Sequence, residues 1–380
     1  MMFFEDFICQ RIKKAHLVCG DYSICERTEA GMLYILCDGI GSGVYANISA
    51  ITCASRILHQ FLDGVPIRLA GEKAAVSMHR ARKEDVPFSS FSAVNILPSG
   101  KFTVYSYESP IPIVIKDNHA TVLSPRYYTA EYEVIAEVSG SLGIGDSLLV
   151  FTDGVSQSGM GRGFGLGIGS DGVRDFINRN LKQDDDINLL PSRVMGMCKK
   201  ISGGFYEDDT TIALIHTREA KELTLLTGPP SKQSMDKNYV ADFMQMPGKK
   251  VICGSTTIEI LSRELGLDAR VLSLGTSFGE PPEYQIDGVD MATEGAVTLN
   301  QVYNILDEPE AHLDESSVVE RLCLMLKRAD VIHMMIGNSQ NTAHQDLIFK
   351  QVGVRVRKAT VQQIAEKLSA EGKLIIKRYY

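Results

Sequence analysis

Two stretches decide the reading of this chain: Leu36-Cys37-Asp38-Gly39-Ile40-Gly41-Ser42-Gly43, and Gly145-Asp146-Ser147-Leu148-Leu149-Val150-Phe151-Thr152-Asp153-Gly154-Val155. Each runs a short apolar segment of strand length straight into an aspartate and a glycine turn. Two further acidic sites bracket them. Gly20-Asp21 precedes the first, and Glu207-Asp208-Asp209-Thr210-Thr211 follows the second, where a strand begins instead of ending. A strand end fixes the direction of a carboxylate, and a following glycine lets its backbone carbonyl approach an ion without a Cβ in the way. Carboxylates converging from different strands repel one another unless cations lie between them. Magnesium and manganese are hard cations that take such oxygen ligands. Two of them roughly 3.5–4 Å apart can activate a shared water for attack on phosphorus. Taken singly, an Asp-Gly pair is more often only a turn, and an acidic pair is usually a solvated loop charge. The case rests on all four sites occurring in order, each against an apolar strand pattern.

Working outward, the first half holds several such strand-length runs: Met32–Cys37, Phe102–Tyr107, Ile111–Ile115, Ser147–Thr152 and Thr210–His216. Helical periodicity is expected over Ala46–Leu62, with Ile48, Ile51, Ala54, Leu58, Phe61 and Leu62 on one face, and over Ile67–Arg82. Further helices are expected near 171–180 and 191–201. Strands gathered around a few helices give an α+β fold class, a β-sandwich flanked by helices. After His216 the texture changes. Thr227-Gly228-Pro229-Pro230-Ser231-Lys232 reads as a linker or turn. Beyond it strand and helix patterns alternate: Lys249–Cys253, Ser255–Leu265, Val318–Lys327, Val331–Ile336, Val352–Arg357, Val361–Leu368 and Leu374–Lys377. That predicts a smaller α/β domain with a mainly parallel sheet, so the expected division is 1–220 and 221–380. Gly254-Ser255 and Gly337-Asn338-Ser339 are strand-end turns of the kind that line a ligand crevice. Asp287, Asp290 and Glu294 lie near such a crevice, and a helix starting at Ser255 could present amides to a small-molecule or anion ligand. The plainer reading of Ser255 is an N-cap.

The composition narrows the classes. The chain has 380 residues, 44% hydrophobic and 23% charged, enough for two cores, and its net charge of −8 argues against a nucleic-acid partner. No apolar stretch is long enough to cross a bilayer, and the first residues lack the pattern of a signal peptide, so the expectation is a cytoplasmic protein with no membrane partner. Eight scattered cysteines form no zinc spacing and read as buried thiols.

The ordered set of motifs resembles the metal-dependent protein phosphatase (PPM) superfamily. It is most similar to the bacterial branch typified by stage II sporulation protein E, over about residues 15–217, and Phe91–Leu97 resembles that family's mid-domain strand. The resemblance implies a pair of packed antiparallel sheets flanked by helices, and a serine/threonine phosphoprotein phosphatase that uses two divalent cations, Mn²⁺ or Mg²⁺. It implies that Asp38 bridges the two metals and that Gly39 lends one its carbonyl. Asp153 and Asp208 would hold the first metal, with Asp21 by the second and Asp209 secondary. The expected partner is a phosphoserine or phosphothreonine protein. Asp38, Asp153 and Asp208 are the candidate catalytic residues. Arg27 and Arg162 lie near the motifs and are weak candidates for binding phosphate. The Gly159–Gly165 stretch departs from the family pattern and could shape substrate choice.

Two rivals stand beside this reading. Gly41-Ser42-Gly43-Val44-Tyr45-Ala46, with Asp63 beyond it, fits a dinucleotide fingerprint, but Asp63 follows a helical pattern and the other aspartates go unused. The other rival is a catalytically inactive phosphatase fold serving as a binding or regulatory module.

Overall fold

The unbroken apolar run Met32–Cys37 has something to bury on both of its faces. In the computed structural model, which describes every residue except 14–17, 42, 184, 276–278 and 340–355, the run forms the middle of β3 (Gly31–Gly39). Alternate side chains point to opposite faces of a strand. Met32, Tyr34 and Leu36 enter one core and Leu33, Ile35 and Cys37 another.

The chain divides into two units, Met1–Glu219 and Ala220–Tyr380. In the first, β1 (Met2–Arg11), β6 (Ile113–Lys116), β7 (His119–Val122), β10 (Ser147–Phe151) and β11 (Thr210–Glu219) form one sheet in the order β1-β11-β10-β6-β7. The other sheet runs β2-β3-β4-β5-β9-β8, with β2 at Asp21–Thr28, β4 at Ser89–Ile96, β5 at Lys101–Tyr107, β8 at Arg126–Ala130 and β9 at Glu133–Ser141. Every pairing in both sheets is antiparallel. Their facing sides share one core, to which Tyr34, Val94, Val104, Leu148, Val150 and Ile215 contribute. Helices α1 (Gly43–Leu62) and α2 (Ile67–Lys83) cover the outside of the six-stranded sheet. After a four-residue turn α3 (Asp153–Ser156), helices α4 (Gly169–Asn180) and α5 (Leu190–Ile201) cover the other. This is the helix-flanked sandwich that the α+β pattern anticipates. The dinucleotide alternative fails on topology, because β3 lies antiparallel between β2 and β4 and Asp63 follows α1, not a strand.

Helix α1 buries only part of the expected face, turning Ala54 and Leu58 inward with Phe61 packed beside them. Its inward stripe is Ala46, Ala50, Cys53, Ala54, Ile57 and Leu58, while Ile48 and Ile51 are 52% and 37% exposed and Leu62 also faces out. Small residues let the helix axis approach β3 closely, and the bulkier side chains that dominate a hydrophobicity reading stay outside.

The second unit builds a seven-stranded sheet in the order β14-β15-β16-β13-β12-β17-β18. Its parallel part comprises β12 (Glu222–Thr227), β13 (Lys249–Cys253), β16 (Met291–Thr293), β17 (Val331–Ile336) and β18 (Leu374–Tyr379). Strands β14 (Arg270–Ser273) and β15 (Glu283–Gln285) extend one edge in antiparallel fashion. Helices α6 (Asp236–Gln245) and α7 (Ser255–Leu265) pack on one face; α8 (Ala296–Ile305), α9 (Val318–Arg328) and α10 (Arg357–Ala370) pack on the other. The strand expected over Val352–Arg357 lies outside the described residues but for its last two, of which Arg357 opens α10. The Gly228–Lys232 stretch is not a linker. It is the turn after β12, which sits in the middle of this sheet with Leu223, Leu225 and Leu226 buried. No helix among the described residues is long and apolar enough to cross a membrane.

A fragment ending at Glu219 is therefore expected to fold by itself and melt cooperatively, because each unit has its own core. A fragment ending at Gly228 should aggregate, since it carries β12 as an orphan apolar strand. Calorimetry and near-ultraviolet circular dichroism check this; a molten 1–219 fragment would refute it.

Candidate metal centre

Antiparallel pairing gathers the acidic motifs at one end of the sandwich. In the β2–β3 register Asp21 lies opposite Asp38. In the other sheet β10 ends where β11 begins: Phe151 pairs with Ile212, and the Thr152 amide donates to the Thr211 carbonyl at 3.0 Å. Asp153 and Asp208 therefore lie at the same edge. Asp21 links the two sheets there. Its Oδ2 accepts hydrogen bonds from Oγ1 of Thr152 at 2.9 Å and Oγ1 of Thr211 at 2.6 Å, and its buried Oδ1 has no partner.

The electrostatics are those of crowded anions. Burial foremost, with repulsion from Asp209 and Asp153, pushes Asp21 up to about 7, against the opposing pull of the Thr211 and Thr152 hydroxyls. Burial also lifts Asp38 well above the carboxylate range, and the charges of Asp21, Asp153 and Asp208 lift it further. Asp153 is raised by burial too, and a hydrogen bond from Asp38 pulls it back. Gln157 Nε2 donates to Oδ2 of Asp153 at 2.7 Å.

These features fit a hard divalent cation. An orphaned buried carboxylate oxygen, carboxylates crowded against one another and an all-oxygen donor set are what a bound ion would satisfy. Among the described residues no three His, Cys, Asp or Glu side chains are grouped to clasp one ion. Magnesium commonly takes only one or two carboxylates and fills its shell with water.

The structure separates the two members of the Asp208-Asp209 pair. Successive residues entering a strand point opposite ways. Asp209 turns inward, 6% exposed, and accepts from the backbone amides of Lys13 at 2.7 Å and Gly20 at 2.6 Å. It holds the Lys13 and Gly20 backbone ahead of Asp21. Asp208 turns outward, meets Lys13 Nζ at 3.4 Å, and lines a cavity of about 250 Å³ with Gln157, Met160 and Tyr206.

The glycines answer to packing. A Cβ on Gly39 would fall 1.9 Å from the Ala46 carbonyl oxygen of α1, and one on Gly154 would fall 2.1 Å from that of Asp209. At Gly20 it would meet the Asp209 carboxylate at 3.0 Å. Gly39 is thus required by the close seat of α1, in addition to any role of its carbonyl.

Neither arginine candidate stands free. Arg27 donates to the Phe4 carbonyl and pairs with Asp6, both in the first half of β1, and not with the motif aspartates. Arg162 pairs with Glu207 at 3.0 Å and lies over Phe205. The residues that sequence reasoning missed are Thr152, Thr211, Gln157 and Lys13. Thr152 lies between an apolar run and Asp153, and Thr211 lies between Asp209 and an apolar run, which is the signal that could have found them.

Comparison with known proteins adds an independent line. The family model for stage II sporulation protein E (SpoIIE) matches residues 28–218, half of the chain. Among solved structures, the SpoIIE phosphatase domain from Bacillus subtilis is 16% identical, with a TM-score of 0.45, covering 57% of this chain and 93% of that one. The RsbU and RsbW domains of a Mycobacterium tuberculosis protein are 17% identical, with a TM-score of 0.49, covering 70% and 71%. A serine/threonine phosphatase of S. agalactiae is 14% identical, with a TM-score of 0.42, covering 57% and 100%. No curated protein matches the chain.

Proposed function

Because this chain belongs to the stage II sporulation protein E family of phosphatases, we propose that it hydrolyses phosphoserine and phosphothreonine on a protein substrate with the help of divalent cations, Mn²⁺ or Mg²⁺. The observation that carries this reading is the placement of Asp21, Asp38 and Asp153, from both sheets, at one end of the sandwich, with Asp21 Oδ1 buried and unpartnered. In this proposal Asp21, Asp38, the Gly39 carbonyl, Asp153 and Asp208 hold two cations. When bound, they supply Lewis acidity and an activated water for in-line attack on phosphorus.

The chain's own groups do the positioning. Thr152 and Thr211 fix the Asp21 carboxylate, and Gln157 fixes Asp153. Asp209 keeps the Lys13 and Gly20 backbone in register. The phosphorylated side chain approaches through the cavity beside Asp208, where Met160, from the glycine-rich stretch, contributes to the wall. We take the protein to act in bacterial signalling in the cytoplasm.

The test is hydrolysis of phosphoserine, phosphothreonine and phosphotyrosine peptides with and without Mn²⁺ or Mg²⁺. Turnover of the first two that vanishes with a chelator is expected. No turnover at saturating cation would favour the inactive binding module instead, and full turnover after exhaustive chelation would end the metal assignment.

A further inference from the structure

In the second unit the chain starts at β12, steps outward through β13 and β16, then crosses back to β17 and β18 on the other side. Sheets wound this way take ligands in the crevice outside the carboxyl ends of the strands, beside the reversal. A small cavity of about 70 Å³ lies at that edge, with Gly228, Gly254, Ser255, Thr257, Glu294 and Arg357 in its walls.

Three independent features converge on it. Helices α7 and α8 both begin there, after Gly254 and Gly295, and neither has a side-chain cap. The first-turn amides of both helices, with the positive ends of their dipoles, thus border one space. Thr257, in the first turn of α7, is 1% exposed and its Oγ1 has no hydrogen-bond partner. That hydroxyl lies 2.9 Å from where a Cβ on Gly254 would stand, so it faces the glycine corner of the cavity. Finally, the Arg357 guanidinium occupies the space over Gly228, where a Cβ would come within 1.9 Å of its Cζ. Its Nη2 donates to the neutral carbonyls of Gly337 at 2.8 Å and Ser339 at 3.3 Å, and its Nε is buried without a partner. Of the three acids near this region, Asp290 is spent on the Lys250 amide at 2.7 Å. Asp287 is not among the lining residues, and Glu294 is.

We propose that this crevice binds the phosphoryl group of a phosphorylated, hydroxyl-bearing small molecule. The phosphate oxygens meet the first-turn amides of α7 and α8, the Thr257 hydroxyl and the Arg357 guanidinium. Glu294 accepts from the ligand's hydroxyls, the role an acidic residue takes toward a ribose at such sheet edges. A carboxylate at that wall is a poor neighbour for a bare multivalent anion, which favours the substituted phosphate over the free ion.

The experiment uses the full chain in chelator, where the acidic cluster of the first unit repels phosphate. Inorganic phosphate, ribose 5-phosphate and adenosine monophosphate are titrated by calorimetry. Saturable binding is expected, weakened about tenfold by Thr257→Val, the loss of one hydrogen bond to a charged group. Arg357→Gln should weaken it further. Thr257→Val keeps the side-chain shape, so a fold failure at Arg357 does not decide the matter. Binding of the two organic phosphates well above inorganic phosphate supports the substituted ligand. Equal binding of the free ion keeps the phosphoryl site and overturns the assigned role of Glu294. No saturable binding at millimolar concentration, or binding that both variants retain, overturns the proposal.

Discussion

Asp38→Asn is expected to lower turnover by more than ~100-fold, since even outer partners of metal ligands cost 10–100-fold when changed, while the metal-free protein stays as stable as wild type or becomes more so. The structure gives the reason for the second half. Asp38 is crowded by the charges of Asp21, Asp153 and Asp208, which with burial raise its carboxyl well above the usual range. An amide of the same shape at that position carries no titrating charge, so repulsion falls while the packing is kept. Asp153→Asn should lose activity similarly and also remove like charge, with Gln157 left to re-form its bond to the amide oxygen. Steady-state kinetics at saturating Mn²⁺ and calorimetric melting in chelator are the measurements. Near wild-type turnover in either variant would mean that these aspartates do not hold the catalytic cations.

The second large effect is a pH dependence that a cation should reverse. Burial holds the Asp21 carboxyl at about 7 in the folded state against 3.8 for a free aspartate, so the folded state binds more protons than the unfolded one across that window. Stability of the metal-free protein then falls as pH rises, because the sign of the slope follows protons bound unfolded minus folded. From pH 5 to pH 8, Asp21 alone contributes a loss of about 2–3 kcal/mol, several degrees in Tm for a unit of this size. Asp38 and Asp153 are raised as well and add in the same direction. His216, which burial holds below its usual value, works the other way; being half exposed, it contributes less. Saturating Mn²⁺ or Mg²⁺ binds the ionised carboxylates and should raise Tm most at pH 8. A metal-free Tm that climbs steadily from pH 5 to pH 8 would contradict the buried-anion picture.

Much of the candidate site could be proposed from sequence because its signal is local. Asp38 and Asp153 each end an apolar run at a glycine, and that grammar survives without knowledge of the fold. What was not legible depends on distant partners. Nothing in Asp208-Asp209 says which carboxylate turns inward; the choice is made by the amides of Lys13 and Gly20, nearly two hundred residues away. The inward face of α1 was read only in part because it also rests on Ala46, Ala50 and Cys53, whose value is small volume and not hydrophobicity. Strand β1 went unread because Glu5, Asp6, Gln10 and Arg11 interrupt its apolar pattern. Strand β12 was hidden by the Gly-Pro-Pro that follows it, which looks like a linker until the parallel strands on either side are known.

The tight seats of Gly20, Gly39 and Gly154 have a consequence for how tolerance to substitution would be read in this protein. In a saturation mutagenesis map these glycines would be as intolerant as the aspartates beside them. At Gly39 and Gly154 any side chain drives a Cβ into a backbone carbonyl about 2 Å away, and no rotamer relieves that. An intolerant column in such a map would then mark two different things in adjacent positions: a carboxylate that does chemistry, and a missing methyl group that lets two segments touch.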